Sequence, residues 1–268
     1  MNSINRRDFL KSSLAASATA ALAAVATPAK AADSRSSSGE FIELRAYRFK
    51  DEEGLVNGYL EKALVPALNA RGIKAVGVFT EPEAKDGAVI WVLIPHPNLE
   101  SVASVNAGLN ADPAIQAADA DYLTKPTKEK PAFDRIDSWL YQPFSGMPSL
   151  AVPKLAKESK PRVFEMRTYE SFSEAKALKK VAMFNAGEIG VMNEVGLSPV
   201  FYGQSLIGRD LPHLTYMLCS ADKPTHKVNW DRFLAHPVWV KLKNDPQYAD
   251  TVQKITSRFL VPAGYSQI

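Results

Sequence analysis

The sequence predicts an α+β fold: two tandem β-α-β-β-α-β repeats in one chain, closing together into a single pseudo-dimeric barrel. Three observations predict it. The stretch Phe41-Ile42-Glu43-Leu44-Arg45-Ala46-Tyr47 returns 122 positions later as Val163-Phe164-Glu165-Met166-Arg167-Thr168-Tyr169. Both alternate at a period of two, the signature of a strand with two distinct faces. The elements that follow repeat with little drift: Arg71-Gly72-Ile73 answers Val195-Gly196-Leu197, and Asp112-Pro113 answers His236-Pro237. Repetition of a whole element order at a fixed spacing marks duplication. A lone β-α-β-β-α-β unit covers one sheet face with its helices and leaves the other bare, so two units are expected to pack sheet to sheet.

Residues 1–31 read as an export signal. Arg6-Arg7 precede Phe9-Leu10-Lys11, a mildly apolar Ala-rich run follows, and Ala29-Lys30-Ala31 offers a small-x-small cleavage site. The pattern resembles a twin-arginine signal. Cleavage is expected after Ala31, with delivery of a folded protein to the periplasm or beyond. The Ala/Ser-rich run is too short and too polar for a stable span, so no membrane insertion is expected after cleavage. The full chain of 268 residues carries a formal charge of +3. Cleavage would remove Arg6, Arg7, Lys11, Lys30 and Asp8, and with them the whole excess. A basic surface for nucleic acid is therefore excluded as an expectation. Cys219 is the single cysteine, so no internal disulfide forms; its neighbours Tyr216-Met217-Leu218 make it a small buried hydrophobe.

In chain order, residues 32–40 form a polar linker and the first repeat spans 41–142. Its first strand covers 41–49. A helix over about 55–70 shows Leu60, Leu64 and Leu68 on one face, is interrupted at Pro66, and closes at Gly72. Strands follow over about 73–80 and 88–94, ended by Pro95-His96-Pro97. Helix starts stand at Asn98 and at Asp112-Pro113, and a fourth strand covers about 133–141. Residues 143–161, with four prolines and a glycine in Pro143, Gly146, Pro148, Pro153 and Pro161, form a linker with one short helical piece. The second repeat, 162–268, has strands over about 162–169, 198–206, 212–220 and 252–261. Its helices run from Ser173 to about Glu194, around 229–234, and after His236-Pro237.

The strand pattern Ile-Glu-Leu-Arg-Ala-Tyr, the helix ending Ala70-Arg71-Gly72-Ile73, and in the second half Trp230, Phe233, His236-Pro237 and Trp239 resemble the NIPSNAP family of the dimeric α+β barrel superfamily. The resemblance covers about 41–142 and 162–262 and implies ferredoxin-like repeats. It supplies no agreed catalytic set. Barrels of this superfamily serve cofactor-free monooxygenases, haem-degrading and chlorite-handling haem enzymes, and stress-response proteins, so fold alone does not choose among them. The export signal departs from the mitochondrial members, whose membrane roles are not transferred here.

Three groups are candidate sites. With Ile42 and Leu44 packed on helices, Glu43, Arg45 and Tyr47, and equally Glu165, Arg167 and Tyr169, are expected to point into the barrel interior or its mouth. The first reading is a lattice of ion pairs and tyrosine hydrogen bonds that fixes register; the second is an acid–base or anion-binding cluster. His236 reads as a helix-start residue beside Trp239, or alternatively as a proton shuttle or haem ligand at the pocket mouth. Trp230, Phe233, Trp239 and Tyr248 read as an aromatic cap of the core that can also line an apolar cavity. No metal-ligand spacing is present, and neither are the Gly-rich dinucleotide, P-loop or Gly-x-Ser-x-Gly patterns. The leading functional expectation is an exported protein binding a small apolar ligand in the barrel with no cofactor. The alternatives are a cofactor-independent monooxygenase or isomerase, and a haem-binding protein. A homodimer is compatible with the exposed helices.

Overall fold

The computed structural model describes residues 40–49, 54–85 and 87–268. The expected export signal and its cleavage site lie outside the described residues.

Eight strands form one closed antiparallel barrel: β1 (Phe41–Phe49), β2 (Gly77–Thr80), β3 (Ala88–His96), β4 (Arg135–Pro143), β5 (Val163–Glu170), β6 (Pro199–Ile207), β7 (His213–Ser220) and β8 (Lys254–Pro262). Their order around the barrel is β1-β3-β2-β8-β5-β7-β6-β4. Each repeat contributes its own four strands, with its first strand at the centre between its third and fourth. The repeats join where β2 meets β8 and β4 meets β6, two equivalent seams related by a pseudo-twofold axis. Register confirms the duplication: Glu43 faces Ile94 and Leu140, while Glu165 faces the equivalent Leu218 and Phe259.

The helices lie outside the barrel. The first rod, α1 (54–70), has a π-helical turn at Leu60–Leu64 next to Pro66. The first repeat continues with α2 (Leu99–Gly108), α3 (Pro113–Ala118) and α4 (Ala120–Thr124). The interrepeat linker holds α5 (Lys154–Lys157). In the second repeat, α6 (174–194) matches α1 and has its π-helical turn at the equivalent Phe184–Glu188; α7 (Lys223–Ala235) and α8 (Pro237–Lys243) follow. The expected caps are in place: Asn98, Asp112 and Ser173 each accept a backbone N–H two or three residues on.

Three apolar layers result. One draws Ile42, Leu44, Phe79, Trp91, Tyr141, Phe164, Met166, Phe201, Met217 and Leu260 from all eight strands, and is therefore the barrel interior. An eight-stranded barrel is just wide enough for side chains to fill. The other two layers lie between strand and helix in each repeat. Tyr47, Val56, Leu60 and Leu64 belong to the first; Tyr169, Phe184, Tyr202 and Tyr216 belong to the second.

This reverses the expected facing of the first strands. Ile42, Leu44 and Ala46, like Phe164 and Met166, point into the barrel, and Glu43, Arg45, Tyr47, Glu165, Arg167 and Tyr169 lie under the helices. The reason is dielectric. A filled barrel interior offers a carboxylate no partners, whereas helices can bring polar side chains to it. The halves meet at the β2–β8 and β4–β6 seams and in the apolar interior, not along the Glu/Arg/Tyr faces.

The β2–β8 seam is short, pairing only Phe79 with Pro262 and Thr80 with Val261. The residues after β8 extend it. Ala263 and Gln267 donate backbone N–H to Val78 and Val76, and the Ser266 hydroxyl and Gln267 side chain accept from Val78 and Val76. Ile268 is fully buried in the barrel interior, where Gly77 leaves room for it. Ile268→Ala is therefore expected to lower stability by about 2–4 kcal/mol, the cost of an unfilled core cavity, as measured by urea unfolding.

Candidate functional site

Glu43 and Glu165 are the centres of two matched polar clusters. Glu43 accepts from Arg45 Nε at 2.6 Å and Nη2 at 3.0 Å, from His96 Nε2 at 3.1 Å, and from the Ser138 hydroxyl at 3.1 Å. Glu165 accepts from Arg167 Nη1 at 2.7 Å, His226 Nε2 at 2.7 Å and the Ser257 hydroxyl at 2.5 Å. In the first cluster the histidine ends β3 and its other nitrogen meets Ser101 of α2 at 3.1 Å. In the second the histidine sits on α7 and its other nitrogen meets Ser220 at the end of β7 at 3.0 Å. Ser220 is the equivalent of His96, so the repeats exchange histidine and serine between strand and helix while keeping the same three-part link. Each cluster fastens the repeat's central strand to its helix. Tyr169 extends the second cluster, accepting from Arg167 Nε at 3.3 Å and sharing a 2.8 Å hydrogen bond with Tyr216. Tyr47 likewise meets Arg45 and packs edge-on against Phe133.

Burial alone would raise both carboxyl pKa values. For Glu43 the hydrogen bonds from His96 and Arg45 outweigh it, and for Glu165 the His226 hydrogen bond and the Arg167 charge do; both are held at about 2. These side chains are 3% and 5% exposed, so the pairs are not weakened by solvent.

His236 and Trp239 do not line the barrel cavity. His236 caps α8, accepting the Val238 N–H at 3.3 Å, with Nε2 3.5 Å from Glu194. Trp239 packs against Phe233 with ring centroids 4.7 Å apart and lies under the Lys180 ammonium. The helix-start and core-cap readings describe them; neither reaches the barrel mouth.

One cavity lies inside the barrel, at the end where β1 and β5 finish. It measures about 180 Å³ and is lined by residues that sequence reasoning did not select. Leu44, Trp91, Trp139 and Met166 form an apolar wall, with the two indoles 5.9 Å apart and 29° from parallel. Tyr141, Thr168, His213 and Thr256 form a polar wall, and Arg48, Arg209, Lys254 and Arg258 surround the mouth. The β6–β7 hairpin is pressed onto this wall. Gly208, at φ +149°, lies so close that a Cβ there would sit 2.1 Å from Trp139 Cδ1. One turn lower, Gly203 leaves room for the Tyr141 ring, 2.6 Å from where a Cβ would stand.

At the floor, the Tyr141 hydroxyl is 3.3 Å from His213 Nε2 and 3.1 Å from the Thr215 hydroxyl, which is 2.9 Å from that of Thr168. His213 Nδ1 lies 3.1 Å from the Asp210 carbonyl oxygen. A carbonyl only accepts, so Nδ1 carries the hydrogen and Nε2 keeps its lone pair, 3.3 Å from a Tyr141 hydroxyl that donates to Thr215 Oγ1. Burial pushes the His213 pKa down, against the opposing pull of the Asp210 carbonyl, and pushes that of Tyr141 well up. The pair is therefore neutral imidazole and protonated phenol.

The cations at the mouth are not equally held. Asp137, buried between Arg48 at 2.6 Å and Arg209 at 3.1 Å, ties β4 to β1 and to the hairpin; despite burial these two hold its pKa low. Lys254 pairs with Glu170 at 2.6 Å. Arg258 stands 3.5 Å from Glu81 and over the Trp91 ring at 5.7 Å, while Glu81 accepts from Trp91 Nε1 at 2.9 Å. Among the described residues no group of three or more His, Cys, Asp or Glu gathers into a metal cage. No described helix is long and apolar enough to cross a membrane.

Comparison with known proteins agrees with this architecture. Residues 164–267 match the NIPSNAP family model, and residues 3–23 match that of the twin-arginine translocation pathway signal sequence. Among solved structures, a Fusobacterium nucleatum protein provisionally described as a monooxygenase superposes with a TM-score of 0.56 at 8% identity, covering 84% of this chain and 93% of that one. A similarly described protein of Lactobacillus acidophilus gives 0.53 at 10% identity, with 84% and 94% covered. A NIPSNAP-like domain protein of Burkholderia xenovorans is 19% identical over 39% of this chain and 88% of its own, with a TM-score of 0.35. No curated protein sequence matches significantly. The second repeat thus matches the NIPSNAP domain, the N-terminus matches a twin-arginine export signal, and the α+β barrel fold is shared with the two larger solved structures.

The two carboxylate clusters set an acid limit on stability. Their folded pKa of about 2 lies below the usual 4.5, so their contribution is fully present above about pH 5 and is lost as pH falls toward 2. Each is worth on the order of 3 kcal/mol at neutral pH. Glu165→Gln is expected to destabilise at pH 7 and to flatten the decline between pH 5 and 2, followed by chemical denaturation across that range.

Proposed function

We propose that this exported NIPSNAP-domain protein acts in the periplasm on a small molecule held in the barrel mouth, as a cofactor-independent isomerase of the proton-transfer class. The observation that carries the reading is the neutral His213 Nε2 facing a protonated Tyr141 hydroxyl on the wall of a small, part-apolar cavity. At 3.3 Å apart on the cavity wall, the two groups are close enough to meet adjacent atoms of one ligand at the same time.

The chemistry that follows is removal and return of a proton next to a carbonyl. His213 Nε2 takes a proton from carbon. The electrons move onto the carbonyl oxygen, which receives a hydrogen bond from the Tyr141 hydroxyl as it turns from Thr215. The imidazolium returns the proton to the γ-carbon of the dienolate, so that a β,γ-double bond of the substrate moves into conjugation. The Asp210 carbonyl fixes the imidazole tautomer and steadies the charge that forms on the ring. Thr215 and Thr168 hold Tyr141 in place from behind. Leu44, Trp91, Trp139 and Met166 exclude water from one side. The ligand suited to these walls is not wholly apolar: one face meets indoles and the other meets hydroxyls and cations.

The test is solvent exchange. Enolisable carbonyl compounds incubated with the mature protein in D2O are expected to gain deuterium at carbon faster than with buffer, as read by proton NMR. Tyr141→Phe and His213→Gln should each slow this by about 10²–10⁴-fold with the thermal midpoint little changed. Because burial holds His213 below its ordinary value of 6.5, the rate should persist through neutral pH and fall only on the acid side of that value. Tyr141, raised by burial, gives no loss near pH 9. Exchange that is unchanged in both variants would refute the assignment.

A further inference from the structure

We infer that the barrel mouth selects a planar single-ring carboxylate, with Arg258 as the residue that reads the anion. This rests on the reading of the cavity as the ligand site and names the class of molecule it takes.

Size sets the first limit. An apolar cavity of about 150 Å³ is enough for a benzene ring. The mouth cavity, at about 180 Å³, has room for one six-membered ring and a small substituent. Shape sets the second. The indoles of Trp91 and Trp139 lie 29° from parallel and, with Met166 and Leu44, make a flat apolar wall that favours a planar partner over a branched one.

Charge sets the third. Of the four cations around the mouth, Arg48 and Arg209 are committed to Asp137, and Lys254 to Glu170, all within 3.1 Å. Arg258 is held differently. Its nearest carboxylate oxygen on Glu81 is 3.5 Å away, and the other Glu81 oxygen is engaged by Trp91 Nε1. A part-buried guanidinium with a long ion pair has donors to spare for a planar carboxylate, which it meets with two parallel hydrogen bonds. The repeats confirm that this cation is not part of the inherited scaffold. By register, Arg258 of β8 is the equivalent of Trp139 of β4, and His213 of β7 is the equivalent of Val89 of β3. At each pair one repeat supplies an apolar side chain and the other supplies the polar one. The cavity thus takes both of its indoles from the first repeat, and its histidine and three of its four cations, Arg209, Lys254 and Arg258, from the second. A ring with a carboxylate at one edge satisfies both.

Benzoate and its neutral isostere benzamide are the probes, titrated into the mature protein by calorimetry and by quenching of tryptophan fluorescence. Benzoate is expected to bind at least tenfold tighter than benzamide and than acetate. Arg258→Met should abolish the preference over benzamide, and Arg258→Lys should restore part of it. Trp139→Ala should weaken both ring compounds alike. Equal or tighter binding of benzamide, or a benzoate preference that survives Arg258→Met, overturns the inference. So does an absence of benzoate binding up to 10 mM. The two readings fail separately. Loss of the anion preference with deuterium exchange still dependent on Tyr141 and His213 removes only the carboxylate class. Exchange independent of both residues removes the site itself.

Discussion

A carboxylate buried on the central strand of each repeat has to find partners without water, and the arrangement of the whole chain follows from how it does so. Glu43 and Glu165 are each met by an arginine two residues on, a serine from the neighbouring strand, and a histidine linked through a hydroxyl to the facing helix or strand. Removing any partner strands a charge in a poorly polarisable layer, which costs far more than the pair itself contributes. The strand's polar face must therefore look toward helices. Its apolar face is then committed to the barrel interior, and the interior must be filled by the other repeat. The ion pairs fix which face is which, and the hydrophobic effect does the rest of the stabilising work.

That division of labour leaves the barrel's upper end under weaker constraint. The lower interior is packed with phenylalanine, isoleucine and methionine. Toward the mouth the strands leave the helix layer, and the inward positions carry Arg48, Asp137, Thr168, Glu170, His213, Thr256 and Arg258. Duplication within one chain makes this asymmetry available. A symmetric pair of identical units places the same residue at both equivalent positions, whereas a fused pair can place Trp139 opposite Arg258 and Val89 opposite His213. One cavity with two unlike walls is the result, and unlike walls are what orient a small ligand.

Much of this was legible from the residues alone. The strand pattern, the spacing of the glycines that end α1 and α6, and the Asn98, Asp112 and Ser173 caps give the element order to within a few residues, because each depends on local backbone chemistry. The facing of β1 and β5 was not legible. Both faces of these strands are buried, so alternation separates the faces without saying which layer each enters. The partners of Glu43 show why the site was missed as well. His96, Ser138 and Asn106 come from three other elements, and only the strand register brings them to one carboxylate. Tyr141, His213 and Arg258 lie on three different strands for the same reason. The signal that pointed to them was available in a weaker form: aligning the repeats sets His213 against Val89 and Arg258 against Trp139, and a polar residue where its own duplicate is apolar marks a position released from the scaffold.

The same comparison separates structural charge from functional charge elsewhere. In the second repeat Lys180 and Glu188 form a 2.5 Å ion pair beneath α6, each about as buried as a core leucine. Their equivalents in the first repeat are Val56 and Leu64, both fully buried beneath α1. The π-helical turn is present in both rods, at Leu60–Leu64 and Phe184–Glu188, so the backbone does not require the charges. Burial pushes Glu188 up and Lys180 draws it back, and desolvation outweighs the attraction. Lys180 lies over the rings of Tyr169, Phe184 and Trp239, and the pair is enclosed by the packed aromatic layer with no opening to the barrel mouth. It has diverged as the mouth has, but into a closed layer. Divergence alone therefore does not mark a candidate site; Tyr141, His213 and Arg258 are candidates because there the changed side chains border a space that a ligand can enter.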